Sequence, residues 1–281
     1  MTPLPITLEF VRVAESPAEA TLAFASDWGT GTGSGDAALR DTGKALPWAS
    51  VSGGNLNVAV VASTGLDFPT TNVLSVQTQW NGTGSSSKII RRTGFGVPAV
   101  GESRFYRWYI RITVPDGISM GSPHPIQDGF DAGTSNWQFE TRAGTTGTWT
   151  PSLQFNANVF PNDGWRALNA LNRGQTYRFE LRVTRTDTTT FTASMRVYNS
   201  AGVQVLGDSD FKNQSGLGSS SLADVPTVNF VDASYLDGFT MGTNGAFQGS
   251  TSGDHPLQFC YQGAAAISNE AWCGPYSAPE P

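Results

Sequence analysis

Apolar and polar residues alternate with a period of two in several runs along the chain, the pattern of half-buried β-strands. In Phe105–Val114 one face carries Tyr106, Trp108, Ile110, Ile112 and Val114, and the other carries Arg107, Tyr109 and Arg111. Tyr177–Val183 repeats this, with Tyr177, Phe179, Leu181 and Val183 inward and Arg178, Glu180 and Arg182 outward. Phe191–Tyr198 follows with Arg196 and Tyr198 outward, and the Thr/Asp stretch 186–190 predicts a hairpin turn between these two strands. Asn136–Arg142 adds a strand with Gln138, Glu140 and Arg142 on one side. Less sharp runs predict strands over Thr21–Phe24, Leu56–Val61, Val73–Gln79, Thr227–Phe230 and Phe259–Ile267. Gly164–Leu171 is expected to be a short helix or turn.

No helical periodicity persists over a useful length. The runs are short and punctuated by Pro and Gly, so the expected class is all-β, with antiparallel strands in two packed sheets. Neither internal repeat nor linker is visible; the Gly-rich loops 29–35 and 216–221 are too short to part domains. The expectation is one domain spanning residues 1–281, a length that sandwiches reach as single units.

Composition sharpens this. Charged residues are only 14% of the 281, against 32 Gly and 16 Pro. A polar but weakly charged chain suits many strands and turns, not helices. The net charge of −6 comes without a Lys/Arg cluster, which argues against a nucleic-acid partner. No apolar run approaches the roughly 18 residues of a membrane span. The N-terminal Met1–Pro5 lacks a basic region followed by an apolar stretch, so no secretory signal is expected. An extracellular, cell-surface or virion location remains the expectation.

Cys260 and Cys273 flank a segment that reads as a final strand and its turn. Two interpretations stay open: a disulfide clipping that strand to its exit loop, or two buried free thiols.

Across nearly its whole length, and in order, the chain resembles the concanavalin A-like lectin/glucanase jelly-roll superfamily, in particular a bacterial and phage group. The residues that carry the resemblance are Ala25–Trp28, Leu39–Gly43, Val100–Arg111, His124–Gly129, Tyr261–Ser268 and Trp272–Tyr276. The resemblance implies a concanavalin A-like, two-sheet antiparallel jelly-roll sandwich. Fold alone does not fix activity.

The candidate chemistry lies on the polar strand faces. Arg107, Tyr109, Arg111, His124, Gln127, Gln138, Glu140 and Arg142 are the candidate carbohydrate-binding residues. Planar Arg, Gln and Glu groups match vicinal hydroxyls, and aromatic rings support apolar sugar faces. A curved sheet would turn such a face into a groove. Trp80, Trp149 and Trp165 sit among polar residues in expected loops, as exposed platforms or as plugs at the sandwich edge.

A retaining glucanase needs two carboxylates roughly 5 Å apart. Glu140 and Glu180 each stand alone among arginines, which should hold them ionised. A polysaccharide lyase on an acidic glycan needs a charge-neutralising group and a His or Tyr base. His124, Gln127 and the arginines contain those types, although His124 lies between Pro123 and Pro125 as an expected turn residue. His255 is also expected in a loop. With two His and two Cys unclustered, no zinc site is expected. Asp128, Asp131 and Asp237 beside glycines are possible Ca²⁺ ligands without a supporting motif. The leading expectation is therefore a non-enzymatic carbohydrate-binding or adhesion module with a polysaccharide or glycan partner. The alternatives are a structural subunit decorating a virion or other assembly, with protein subunits as partners, and an acidic-glycan lyase.

Overall fold

The computed structural model describes residues 20–52, 57–78, 87–113, 124–131, 134–143, 147–155, 164–213, 220–229, 236–244, 258–278 and 280. Its strands run β1 (Leu22–Ser26), β2 (Ser50–Ser52), β3 (Asn57–Ala62), β4 (Asn72–Thr78), β5 (Ser87–Arg92) and β6 (Ser103–Ile112). There follow β7 (His124–Asp131), β8 (Thr134–Ala143), β9 (Thr148–Phe155), β10 (Gly164–Ala167), β11 (Leu171–Asn172) and β12 (Thr176–Arg185). The last are β13 (Thr190–Asn199), β14 (Gln204–Leu206), β15 (Phe211–Asn213), β16 (Thr227–Asn229), β17 (Phe239–Asn244) and β18 (Gln258–Ser268). One short helix, Asp36–Leu39, interrupts them.

The protein is an all-β, two-layer antiparallel sandwich, as the alternation predicts, and a jelly roll, as the resemblance implies. The first layer is ordered β14-β13-β12-β6-β18-β4-β3, with β1 also paired to β18 and β16 to β13. The second contains β15-β10-β9-β8-β7, with β11 on β9, and the smaller sheet β17-β5-β2. The strand β17 packs beside β7 and so joins these two pieces.

The periodicity of β6 and β12 explains why the layers stack. Tyr106, Trp108, Ile110 and Ile112 are buried in the core together with Tyr177, Phe179, Leu181 and Val183. Trp108 stacks on Phe179 at 5.6 Å, and Phe139 of β8 meets both rings edge-on, at 5.3 Å from Trp108 and 4.7 Å from Phe179. Such contacts add to the burial of large apolar surfaces. A polar tie crosses the core: the Gln262 amide of β18 accepts from Gly242 N–H (2.8 Å) and donates to Gly242 C=O (2.9 Å) in β17. The β12–β13 hairpin closes through Thr186 N–H to Thr190 C=O at 2.9 Å.

Three expectations need correction. Gly164–Leu171 is neither helix nor turn; β10 and the start of β11 fall within it, paired to β9. Trp149 and Trp165 are not in loops: they belong to β9 and β10 and are buried. Pairing of β9 to β8 and of β10 to β9 and β15 fixes these strands, and so outweighs the local polar composition. His124 opens strand β7 rather than a turn, its pairing to β8 shifting in register between Pro125 and Gln127. Proline is tolerated at such strand starts and bulges.

Of the two interpretations left open for the cysteines, the structure has the second: both are free and buried. Cys260 pairs with Ile112, whereas the Cys273 thiol donates to Phe105 C=O at 3.7 Å. These anchor points lie at opposite ends of β6, about 23 Å apart along a strand. A disulfide needs Cα atoms within about 7 Å. Trp80, Val114 and His255 lie outside the described residues.

Candidate functional site

The face of the first layer turned away from the core collects the polar side chains of β6, β12 and β13. Backbone register sets them in ranks. Tyr198, Arg178 and Tyr109 lie side by side, followed by Arg196, Glu180 and Arg107, then Ser194, Arg182 and Phe105. The arginines outnumber the single glutamate of these ranks. The Arg178 guanidinium lies 4.1 Å from the Tyr198 ring centroid and its Nε is 3.5 Å from Glu180.

This face is not open along its length. The segment 269–278, which follows β18, lies along the outward row of β6. Trp272 meets Phe105 edge-on at 5.6 Å, and Arg196 stacks on the indole at 4.0 Å. Gly274 C=O accepts from Arg107 at 3.4 Å, and the Tyr276 N–H donates to the Tyr109 hydroxyl at 3.0 Å. Two-residue steps of this strap thus match two-residue steps of the strand. Glu280 then reaches Arg107, whose Nη1 donates to one carboxylate oxygen at 2.7 Å and whose Nη2 donates to the other.

Arg107 is consequently 0% exposed, and Glu280 only 7%. A bulge in β18 completes the arginine's shell. Ala264 takes φ +44, and its carbonyl accepts from Arg107 Nε at 2.9 Å. A left-handed alanine costs roughly 1–2 kcal/mol, so the surrounding contacts must hold it there. Burial alone would lower the Arg107 pKa, but the Glu280 carboxylate, helped by Cys273 and Tyr109, raises it on balance.

Glu180 departs from expectation. Its neighbouring arginines were expected to dominate, yet burial is the larger influence and raises its pKa. Arg178, Arg107 and Arg196 pull the other way, as does the backbone at Gly274. At the strap's far side Tyr276 donates its hydroxyl to Asp27 at 2.7 Å, and Lys44 pairs with the same carboxylate at 3.2 Å. Burial opposes ionisation of Asp27, but Tyr276, Gly29 N–H and Lys44 together bring its pKa below the ordinary value.

Beside the strap a cleft of about 490 Å³ remains open, lined by Tyr109, Arg178, Thr176, Asn199, Tyr276 and Phe68 among others. Arg111 stands at its margin, donating to Leu66 C=O at 3.0 Å and Asp67 at 3.3 Å. Asn199 is held by Ala201 and Val203 N–H groups on its Oδ1. A second cleft of about 480 Å³ opens at the other end of the strap, beside Ser103, Phe105, Asn269 and Glu270.

Solved structures of similar architecture include polysaccharide lyases. The endo-β-1,4-glucuronan lyase from the fungus Trichoderma reesei shares 13% identity over 89% of this chain and 96% of its own, with a TM-score of 0.49. The PL-14 alginate lyase from Aplysia kurodai shares 10% over 79% and 91%, with a TM-score of 0.44. A carbohydrate esterase from the Shiga toxin-encoding bacteriophage phi24B shares 13% over 79% and 90%, with a TM-score of 0.42. No protein-family model matches the chain, and no curated protein sequence matches it.

The candidate residues read from the sequence fall into two groups. Arg107, Tyr109 and Arg111 share the outward face of β6, as expected. His124 and Gln127 lie on β7, and Gln138, Glu140 and Arg142 on β8, both in the second layer. The Trp108–Phe139 contact places that layer on the opposite side of β6 from Arg107. Sheets packed face to face are about 10 Å apart, so the two groups do not form one site. The side chains of those five residues lie outside the described set. Sequence reasoning missed Asn199, Tyr276 and Glu280. Tyr276 and Glu280 follow the last strand and have no periodic pattern, although Trp272–Tyr276 was among the segments of family resemblance. No group of three or more His, Cys, Asp or Glu among the described residues is arranged to hold a metal, and no helix is long and apolar enough to cross a membrane.

Proposed function

We propose that the protein binds carbohydrate, without cleaving it, in the cleft beside Tyr109 and Tyr276. The observation that carries this is the convergence there of two tyrosines, Phe68, Arg178, Thr176 and Asn199 around one open volume. Aromatic rings offer surfaces to the apolar faces of a sugar, while planar guanidinium and amide groups address paired hydroxyls. Arg178 is held by Tyr198 and Glu180, and Asn199 by its own turn. The recognising groups are therefore fixed before a ligand arrives, which limits the ordering cost of binding.

Retention without turnover is supported by what surrounds the candidate proton-transfer groups. The Tyr109 hydroxyl accepts from the Tyr276 N–H, and the Glu180 carboxylate is buried beside Arg178. Burial and the adjacent Asp27 push the Tyr276 phenol well above its ordinary pKa, which makes it a poor base near neutrality. The strand bearing His124 lies across the core.

The test is migration through native gels containing single polysaccharides. Ser200 is exposed and lines the cleft, so Ser200→Trp fills the volume without disturbing the core. Retardation of the wild type by one polysaccharide, lost in Ser200→Trp at unchanged melting temperature, is expected. Equal retardation of both proteins would place any binding elsewhere.

A further inference from the structure

We infer that the strap occupies the track of an extended acidic glycan, with Glu280 standing in for a sugar carboxylate on Arg107. The inference rests on the carbohydrate-binding function proposed above and names its ligand class and its control.

Three observations carry it. First, the strap is laid lengthwise along one strand as a polymer would be: Trp272 on Phe105, Gly274 on Arg107, Tyr276 on Tyr109. Second, an open cleft lies at each end of this line, one beside Ser103 and Phe105 and one beside Tyr109. Lifting the strap would join the two clefts through the row Phe105, Arg107, Tyr109. Third, the sheet is charged for an anionic guest. Between the two end clefts, where Asp67 lines one and Glu102 and Glu270 the other, Arg107, Arg178, Arg182 and Arg196 face outward around the one carboxylate of β6, β12 and β13, Glu180, and the strap brings Glu280 to them. The two-pronged Arg107–Glu280 contact has the planar geometry by which a guanidinium receives any carboxylate, a uronic acid's included.

The strap's attachments suit an occupant that is held yet able to leave. Apart from the two-pronged Arg107–Glu280 contact, it is fixed along β6 by single hydrogen bonds and the Trp272–Phe105 ring contact, without strand pairing. In the covered state the strap occupies the row between the two end clefts. A free acidic chain must compete with Glu280, and its apparent affinity falls by the fraction of molecules with the strap lifted. Arg107, stripped of its partner, is the group that a ligand carboxylate then satisfies.

The experiment is calorimetric titration of the full-length wild type and of Glu280→Gln with a uronic-acid oligosaccharide and a neutral oligosaccharide of equal length. Glu280→Gln removes the competing charge and keeps the side chain's shape. The expected result is binding of the acidic oligosaccharide about tenfold or more tighter in Glu280→Gln, with affinity for the neutral one unchanged. Equal or weaker acidic binding in Glu280→Gln overturns the strap's role while leaving cleft binding standing. No binding of either sugar to either protein overturns both. Should Glu280→Gln prove unstable, amide hydrogen exchange on the wild type decides. Saturating acidic oligosaccharide is expected to speed exchange at Gly274 and Tyr276, and unchanged or slower exchange contradicts displacement.

Discussion

Arg107 and Glu280, 173 residues apart, form a two-pronged ion pair sealed beneath the strap. Both charges have left water, and their attraction offsets that cost only while both are present. Arg107→Ala leaves Glu280 uncompensated and removes an opposing charge from Glu180. Its expected cost is about 3–5 kcal/mol of unfolding free energy in urea titrations. The double variant Arg107→Met/Glu280→Leu should recover much of that loss. A cost below about 1 kcal/mol for Arg107→Ala would show that the pair behaves like an exposed one.

Asp27 makes the strap's anchorage sensitive to acid. Its pKa in the folded state lies below the ordinary 3.8 because Tyr276, Gly29 N–H and Lys44 favour the carboxylate more than burial disfavours it. A depressed acid contributes stability above its unfolded pKa and loses it as the pH falls through the folded value. Asp27→Asn should therefore be less stable at pH 7, by about 1.5–3 kcal/mol. That gap should narrow as the pH drops below 3.8. Thermal melts of both proteins across that range check it, and a constant gap contradicts the assignment.

Both cysteine thiols are pushed up to about 12 by burial, a shift that keeps them protonated and unreactive at neutral pH. Iodoacetamide should leave the native protein unlabelled and add two carbamidomethyl groups after denaturation without reductant. Intact mass spectrometry reads this directly. Labelling that requires prior reduction would mean that a disulfide had formed.

The Gln262 amide spans the core to Gly242 and satisfies both polar groups of that residue. Gln262→Leu fits the space but leaves a buried N–H and C=O unpaired. A loss of about 1–3 kcal/mol is expected from chemical denaturation. A neutral outcome would mean that water reaches Gly242.

The strands of the first layer were legible because their alternation is long and strict. The expected inward residues of Phe105–Val114, Tyr177–Val183 and Phe191–Tyr198 that fall within the described set are buried. Shorter strands were harder: β5, β9 and β17 carry weak or interrupted alternation, and Gly164–Ala167 becomes a strand only through its neighbours β9 and β15. For the site, alternation told which side of β6 Arg107 occupies, but not what covers it. That cover comes from residues more than 160 positions later, in a segment without periodicity, and a local pattern has no means of reporting such a contact. The same gap grouped His124 with Arg107, two residues whose polarity suggested one surface and whose strands lie in different layers.

The central claim is that this protein holds carbohydrate through the outward face of β6 and its neighbours. A glycan array probed with the full-length wild-type protein, in parallel with Ser200→Trp, tests it most directly. A consistent signal on one sugar class is expected for the wild type, and its loss in Ser200→Trp. A blank array for the wild type, or an identical pattern from both proteins, would contradict it.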